Sequence, residues 1–411
     1  MPDVRYEAGV RRWYTAVNCA YYAGNAAVLN FSTLYLQALG YSNTVIGTAF
    51  AVAAGLSLLV QSATAAVLDN RPQMTNRRVM LAGNLLLCAA SCALAPLHGV
   101  PAGFLTVFVL IYASVLAMQQ FTSALAMEIR NSGIRINFGM SRGMGSSVFI
   151  AVTLLGGRIL TAYDAKAFPL ICAAVGAASA AVCWRLPFRG DGKAVPAAPG
   201  RQGLRAYAAV FRDHPTIVPM LLAVMLVSVF TSCVASFLIV ILRNAGGEAA
   251  SLAWIQSFGT LCEIPLFMLF DRIVYRFSCR KVLLFSTFVY LLRCLMYLLA
   301  HNVWWIVGAQ ALQGLSYSLF YASCVVYINE VTSDENKAKG QALMAMVSMS
   351  VGNILASILS GVLLDALGVR FMLAFAFGCL LAGFVIMAVT LLADARRQAV
   401  PLRQEKGDGR I

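Results

Sequence analysis

The chain has 411 residues, of which 60% are hydrophobic and only 12% are charged, and its formal net charge at pH 7 is +14. A soluble domain carries about a quarter charged residues, so this composition excludes a soluble globular protein and indicates a lipid bilayer as the solvent. The positive charge would suit a nucleic-acid binder, but its distribution along the chain argues against that partner.

The apolar segments, taken in chain order, predict twelve membrane-spanning helices, since a bilayer crossing needs ~20 apolar residues. The first segment begins at Trp13, is too long for a signal peptide and has no small-residue cleavage site after it, so we expect helix 1 to be retained. The predicted spans are 13–39, 44–68, 78–98, 102–129, 139–162, 167–185, 215–242, 249–271, 281–300, 303–330, 338–364 and 368–393.

The Lys and Arg residues orient these predicted helices. With the amino terminus in the cytoplasm, 25 of the 31 basic residues fall in cytoplasmic segments, three fall in the opposite loops and three fall within spans. Cytoplasmic loops of membrane proteins carry such an excess of Lys and Arg. We therefore expect a multi-pass protein of the plasma or inner membrane with both termini in the cytoplasm, and the net charge reflects topology.

The two halves of the chain repeat at an offset of about 202 residues, so that Asp69 corresponds to Asp271 and Glu128 corresponds to Glu330. Parallel six-helix repeats are typical of secondary transporters, in which the substrate site lies between the halves near the middle of the membrane. The predicted organisation is a six-helix half at 1–185, a cytoplasmic linker at 186–214, a six-helix half at 215–393 and a cytoplasmic tail at 394–411.

Charges that recur in both halves predict a gate or a scaffold rather than a substrate contact. Glu128 and Glu330 end their helices, where the helix dipole disfavours an anion, so each needs a cationic partner from the neighbouring loops. His98 and His301 recur at the opposite interface, where simple interfacial placement is favoured over a proton relay. The residues predicted to form the gate are Asp69, Arg77, Arg78, Glu128, Asp271, Arg280, Lys281 and Glu330.

Three charges within the spans break the repeat. Glu263 in helix 8 corresponds to Gln61, Arg293 in helix 9 corresponds to Ala90, and Arg142 at the start of helix 5 has no basic counterpart. An ionisable group inside the bilayer is costly, so it usually lies at a cavity with a partner. At ~1.5 Å per residue, Glu263 lies about 12 Å and Arg293 about 18 Å from the same face of the membrane. We predict a buried Glu263–Arg293 pair at the cavity, with a static ion pair between helices as the alternative.

Two loops carry a family resemblance. The sequences AVLDNRPQMTNRR, between helices 2 and 3, and LFDRIVYRFSCRK, between helices 8 and 9, resemble the loop signature of the major facilitator superfamily. The stretches CEIPLFMLFDRIVYRF, RKVLLFSTFVYLLR and AQALQGLSYSLFYASCVVYINE resemble its branch that contains lactose permease, phenylpropionate permeases and the oligosaccharide and nucleoside proton symporters. The resemblance implies the major facilitator fold, a central cavity and symport. Glu263 and Arg293 match the helix-8 acid and the helix-9 arginine of that branch.

The segment FGMSRGMGSSVF at 138–149 resembles the start of helix 5 in lactose permease, where an Arg binds the sugar and an aromatic residue seven positions later stacks on it. Carried over by position, these residues are Arg142 and Phe149. The chain departs from lactose permease at Gln313 and Ser316, which replace the His and Glu that serve proton coupling there, and at Ala124, which replaces a sugar-binding Glu. The resemblance therefore does not imply lactose, and it leaves Glu263 as the acid for proton coupling.

The favoured hypothesis is proton-coupled uptake of a small organic solute by alternating access, with the proton as the coupling ion and no cofactor. A change in the distance between Glu263 and Arg293 would change the proton affinity of Glu263. Arginines in the cavity suit a carboxylate and equally suit the hydroxyls of a sugar or a nucleoside. The Tyr and Asn side chains of helix 1 could instead join helices. The residues predicted to contact the solute are Tyr21, Tyr22, Asn25, Arg142, Phe149, Gln310, Gln313 and Tyr317.

Two other classes remain open. Proton antiport of drugs or metabolites is the first, although helix 5 contains Gly156-Gly157 without the proline that such antiporters usually carry there. A non-transporting membrane enzyme or receptor is the second, although the sequence has no HExxH motif, nucleophile elbow or phosphate loop. Eleven scattered cysteines without a CxxC pair predict no metal site. The expected partners are a small-molecule substrate and the lipid bilayer, with no nucleic acid, and the expected state is a monomer.

Overall fold

The computed structural model describes the backbone of residues 4–71, 74–97, 99–188, 210–333 and 336–407. Within these ranges, the side chains of residues 4, 69–70, 138–139, 338, 349–350 and 395–407 are not described. Most of the predicted linker, the side chain of Asp69 and all of His98 therefore lie outside the described residues.

The described residues form twelve helical spans and contain no β-strand, which confirms the predicted all-α fold. The spans, numbered in chain order, are α1 (Val4–Leu29, continued by Ser32–Ala38), α2 (Asn43–Asn70), α3 (Asn76–Leu94), α4 (Pro101–Asn131), α5 (Phe138–Tyr163), α6 (Phe168–Arg185), α7 (Ile217–Asn244), α8 (Ala249–Phe277), α9 (Cys279–Leu298), α10 (Val303–Val331), α11 (Lys337–Met346, Val347–Val351 and Gly352–Leu367) and α12 (Val369–Gly407).

Ten of these spans are long and apolar enough to cross a membrane by length and composition. The other two are α1, in which polar side chains such as Asn18 and Asn25 lower the hydropathy, and α11, whose apolar helix Gly352–Leu367 is shorter. A π-helical segment, Val347–Val351, divides α11. Helix α12 continues to Gly407, so the segment predicted as a tail is helical over most of its length.

Local capping fixes where the site-bearing helices begin. The Oδ1 atom of Asn137 accepts a hydrogen bond of 2.9 Å from the N–H of Met140 at the start of α5. Asn302 accepts in the same way from Trp304 at the start of α10, over 3.0 Å. Each cap satisfies a backbone N–H that the first helical turn leaves without an intrahelical partner. These caps set the positions from which α5 and α10 enter the bundle.

The two halves of the bundle pack by the same plan. In the first half α1 packs against α5 and α6, α3 packs against α4 and α6, and α2 packs against α4. The second half repeats these contacts, with α7 against α11 and α12, α9 against α10 and α12, and α8 against α10. The main contacts between the halves are those of α2 with α11 and of α5 with α8. The interface between the halves therefore runs along four helices.

One end of the bundle, which we call the distal face, holds the six connections α1–α2, α3–α4, α5–α6, α7–α8, α9–α10 and α11–α12, and the opposite end is the terminal face. At the distal face, α1 contacts α7: Arg243 donates to Gln37 over 2.9 Å, and the hydroxyl of Thr33 donates to the carbonyl of Ser236. Glycine brings the backbones of α2 and α11 together there, since a Cβ at Gly47 would overlap the carbonyl of Ser357. The halves are therefore closed together at the distal face.

Towards the terminal face the halves separate. In α2 the buried residues end at Ser57, and every described side chain from 58 to 68 is half-buried or exposed. In α8 five residues between Leu252 and Gly259 are buried, whereas Phe270 alone is buried among the described residues 260–277. A helix that loses its packing partner exposes its faces, so the cleft between the halves opens at the terminal face.

Candidate functional site

The site begins where α10 comes closest to α8. Residues Gly314–Ser318 of α10 form a π-helical segment, and a Cβ at Gly314 would overlap the carbonyl of Cys262. This approach brings the Gln313 side chain to Glu263, and its Nε2 atom donates a hydrogen bond of 2.8 Å to Glu263 Oε1. π-Helical segments inside α-helices frequently mark functional sites because they re-aim side chains. Helix α10 therefore holds the half-buried Glu263 carboxyl group.

The Arg293 side chain of α9 is anchored to the other side of α10. It is only 4% exposed and donates to Gln310 Oε1 over 3.0 Å, to Ser316 Oγ over 3.3 Å and to the Tyr297 hydroxyl over 3.4 Å. A buried guanidinium group without acceptors would be strongly destabilising. These three neutral acceptors therefore stabilise the charge inside the second half.

The predicted direct pair between Glu263 and Arg293 is not formed in this conformation. Among the described residues, Glu263 has Gln313 as its side-chain partner, while Arg293 binds Gln310 and Ser316. The physical reason is that α10 packs against both α8 and α9 and presents amide and hydroxyl groups to each. The two charges are therefore linked through α10 by Gln310 and Gln313, whose predicted contact with the solute stays a prediction.

Arg142 projects from the first half towards α8. Its guanidinium carbon lies 5.1 Å from the centre of the Phe267 ring, which is cation–π distance. Helix α1 sets the position of α5, because Asn18 donates to the carbonyl of Ser141 over 2.7 Å and Tyr22 packs where a Cβ at Gly145 would overlap it. Arg142 is therefore held across the interface between the halves.

Aromatic rings from both halves surround these charges. Tyr21 and Tyr22 are 5.3 Å apart between ring centres in an edge arrangement on α1. On the opposite side, Tyr317 contacts Phe267 at 6.4 Å and stacks on Tyr321 at 6.2 Å. The Phe267 ring lies against the Arg142 guanidinium group, and the four tyrosines lie within electrostatic range of it. The cleft therefore has aromatic walls and two charged groups of opposite sign.

The structure brings most of the residues predicted to contact the solute together, but Asn25 and Phe149 lie apart from the others. Asn25 donates to the carbonyl of Tyr21 over 3.2 Å within α1. Phe149 is half-buried two turns along α5 from Arg142, and no ring contact joins it to the aromatic cluster in the described part of the chain. Sequence analysis missed Phe267 and Tyr321. Each lies four residues after a predicted site residue, Glu263 or Tyr317, and i, i+4 spacing on a helix was the signal that could have found them.

The predicted gate residues lie at the terminal face. In the first half, Asn76 donates to Glu128 Oε2 over 2.9 Å and Arg77 donates to the carbonyl of Cys183 over 3.0 Å; the backbone N–H of Arg78 donates to the Thr75 hydroxyl. The first two of these bonds join α3 to α4 and α6. The other predicted gate residues with described side chains are the half-buried Arg280 and the exposed Asp271, Lys281 and Glu330. Their role as a gate stays a prediction.

Two similar helical bundles, closed at one face and open at the other around a polar site, are the arrangement found in secondary transporters. The site lies between the two halves. The same arrangement explains why charged groups are found at this depth, since they line a cleft rather than contact lipid.

The chain belongs to the MFS_1 like family, whose sequence pattern matches residues 12–377, and it is a multi-pass integral membrane transporter of the major facilitator type. The maltose permease of Geobacillus stearothermophilus is 26% identical over 326 residues, which cover 76% of this chain and 79% of the permease. These relatives are transporters and not enzymes, and transporters of this kind bind small-molecule substrates.

Two solved structures are similar in fold. The nucleoside transporter NupG gives a TM-score of 0.77 at 16% identity, covering 92% of this chain and 98% of that chain. A bacterial homologue of the iron transporter ferroportin in an inward-facing state gives a TM-score of 0.68 at 12% identity, covering 95% of this chain and 100% of that chain. These similarities show that this chain shares the fold of the two proteins. They do not show which solute it carries.

Proposed function

We propose that the protein is a proton-coupled symporter that takes up a small organic solute, of the class of sugars, nucleosides or aromatic carboxylates. The observation that carries the proposal is the half-buried Glu263 carboxyl group, which faces the cleft without an ion-pair partner among the described residues. A carboxyl group at this depth is costly as an isolated anion, so a protonated state is accessible in the transport cycle. We take Glu263 as the proton carrier.

Gln313 suits a carboxyl group that changes protonation state. An amide has both a donor NH₂ group and an acceptor oxygen, so it can donate to the carboxylate or, after rotation, accept from the carboxylic acid. Its Oε1 atom is buried and has no hydrogen-bond partner in the described structure. The Glu263–Gln313 contact therefore supports a cycle in which the proton binds and leaves without losing this hydrogen bond.

The solute would bind between the halves, against Arg142 and the aromatic side chains of Tyr22, Phe267, Tyr317 and Tyr321. These residues come from α1, α5, α8 and α10, so a bound solute contacts both halves at once. Closure around the solute would then couple binding to the movement of the halves. The similarity to a maltose permease and to a nucleoside transporter supports a polar organic solute about the size of a sugar or a nucleoside.

The distribution of basic residues gives the proposed orientation of the protein in the membrane. We place both termini in the cytoplasm of a plasma or inner membrane, because the basic residues concentrate in the segments at the terminal face. The structure then corresponds to an inward-open state, in which solute and proton have access to the cytoplasm. We propose Asp69, Arg77, Arg78, Glu128, Asp271, Arg280, Lys281 and Glu330 as the residues that close this face in the other state.

The test is uptake by proteoliposomes of the full-length protein under an inward proton gradient. The labelled solutes are maltose, uridine and phenylacetate, and liposomes without protein give the background. Accumulation of one solute above its external concentration, abolished by a protonophore, supports proton symport. Accumulation only when the gradient points outward would identify an antiporter and contradict the proposal.

A further inference from the structure

The Arg142 guanidinium group has no hydrogen-bond acceptor in the described structure. The group lies over the face of the Phe267 ring, and the Arg142 side chain is half-buried. A guanidinium group carries five N–H donors and rarely stays without acceptors. The other arginine of the site, Arg293, is 4% exposed and has three acceptors, so Arg293 is not accessible to a solute, whereas Arg142 is.

The charges described at the site do not balance. Arg142 and Arg293 supply two positive charges, Glu263 supplies one negative charge, and no ion pair joins either arginine to Glu263 in the described part of the chain. The site therefore has a net charge of about +1 with Glu263 ionised and about +2 when a proton binds to it. Uncompensated charge in a cleft within a membrane is costly, and an anion from solution would reduce that cost.

The surroundings of Arg142 define what the anion is attached to. Phe267, Tyr317 and Tyr321 form a continuous set of ring contacts beside the guanidinium group. The planar guanidinium group can bind a carboxylate through two parallel hydrogen bonds. The aromatic side chains beside it favour a solute whose remaining part is flat or apolar.

We propose that the transported solute is an organic monocarboxylate with an aromatic or apolar body, and that Arg142 binds its carboxylate. This inference rests on the proposed symport function and narrows its solute. A monoanion that binds together with one proton on Glu263 leaves the net charge of the site unchanged. Proton and anion then stabilise each other's binding, which couples the two without an ion pair inside the protein.

Binding tests the charge requirement directly. The full-length protein in lipid nanodiscs is titrated with phenylacetate, benzoate and 3-phenylpropionate, and with the neutral amide of each. The wild type should bind at least one acid about tenfold or more tighter than its amide, because the guanidinium group binds a charged carboxylate more strongly than a neutral amide. Arg142→Gln should remove this preference, and Arg142→Lys, which keeps the charge but loses the planar fork, should retain part of it.

The matched control is Arg158→Gln, which removes an exposed arginine of the same helix and should leave the preference intact. A thermal melt of each variant confirms that it is folded. Equal affinity of the wild type for acid and amide, binding of none of the acids, or an acid preference that survives Arg142→Gln in a folded protein would each overturn the inference.

Measurements of the electrical current during uptake distinguish this inference from the proposed function. Under an inward proton gradient, uptake of the acid should produce no net current, since a monoanion and one proton enter together; protein-free liposomes give the background from diffusion of the neutral acid. Uptake of maltose or uridine with an inward current would leave proton symport standing and overturn the carboxylate. Arg142-dependent binding of an acid without any gradient-driven uptake would support the carboxylate and overturn the symport.

Discussion

Asp365 at the end of α11 binds Thr44 at the start of α2 through both the backbone N–H and the hydroxyl group of Thr44, each at 2.7 Å. The other oxygen of the same carboxylate accepts from the Nδ2 and the backbone N of Asn43, at 2.8 Å and 3.2 Å. An anion at a helix amino terminus satisfies free N–H groups and the helix dipole. Here the anion comes from the other half of the molecule, so the cap exists only while the distal face is closed.

Asp365→Ala should therefore shift the protein towards the state in which the distal face is open. Loss of an exposed cap costs about 1 kcal/mol, which changes the ratio of the two states about fivefold. Hydrogen exchange of the backbone amides of residues 43–46 should become faster. The control is Asp164→Ala, since Asp164 caps its own neighbour Ala165 at the same face without joining the halves. Unchanged exchange in Asp365→Ala would contradict this account of the distal face.

Gly361→Val should block closure of the distal face. A Cβ at Gly361 would overlap the carbonyl oxygen of Asn43 and lie 3.1 Å from the Cα of Thr44, and these backbone atoms cannot move aside without shifting α2. We expect uptake in proteoliposomes to fall at least about tenfold while the melting temperature changes little. Gly378→Val is the matched control, because nothing lies within 4 Å of a Cβ there. Normal uptake by Gly361→Val would mean that the two helices separate more easily than this packing implies.

Gln313→Leu should weaken proton coupling rather than solute binding. The substitution keeps the apolar volume of the side chain but leaves the Glu263 carboxyl group without its hydrogen bond, at a cost of about 1–3 kcal/mol. Gradient-driven uptake should fall about tenfold, while solute affinity measured in nanodiscs should change by less than about twofold. Gln119→Leu, at an exposed glutamine of α4, serves as the control. A loss of affinity as large as the loss of uptake would instead identify Gln313 as a solute contact.

Arg293→Lys should destabilise the second half. A lysine ammonium group cannot contact Gln310, Ser316 and Tyr297 with the planar geometry that the guanidinium group uses, so part of a buried charge loses its acceptors. We expect a lower melting temperature of the protein in detergent, with no comparable change for the exposed Arg158→Lys. A melting temperature equal to that of the wild type would show that these hydrogen bonds contribute little.

The span count and the position of the repeat could be predicted because both depend on local composition. Apolar length gives the number of crossings, and the corresponding charges of Glu128 and Glu330 mark the repeat. The cost of charge in a bilayer also predicted that the charges that break the repeat, Arg142, Glu263 and Arg293, lie at a cavity. These predictions required no knowledge of which helices touch.

The linkage of Glu263 to Arg293 through α10 could not be predicted in the same way. It depends on the π-helical segment at Gly314–Ser318 and on the close approach of Gly314 to α8, and neither leaves a periodic signal in the sequence. The closure of the distal face could not be predicted from the sequence either. Both states of a transporter use the same sequence and differ by only a few kcal/mol, so the contact between Asp365 and Thr44 is a property of one state.

The measurement that tests the central claim most directly compares wild type with Glu263→Gln in two assays on the same proteoliposomes. One assay is uptake driven by an inward proton gradient, and the other is exchange of labelled for unlabelled solute at equal pH. If Glu263 carries the proton, the variant should lose gradient-driven accumulation and retain exchange, because the neutral amide mimics the protonated carboxyl group. Full accumulation by Glu263→Gln would contradict the claim and leave Glu263 as a structural partner of Gln313.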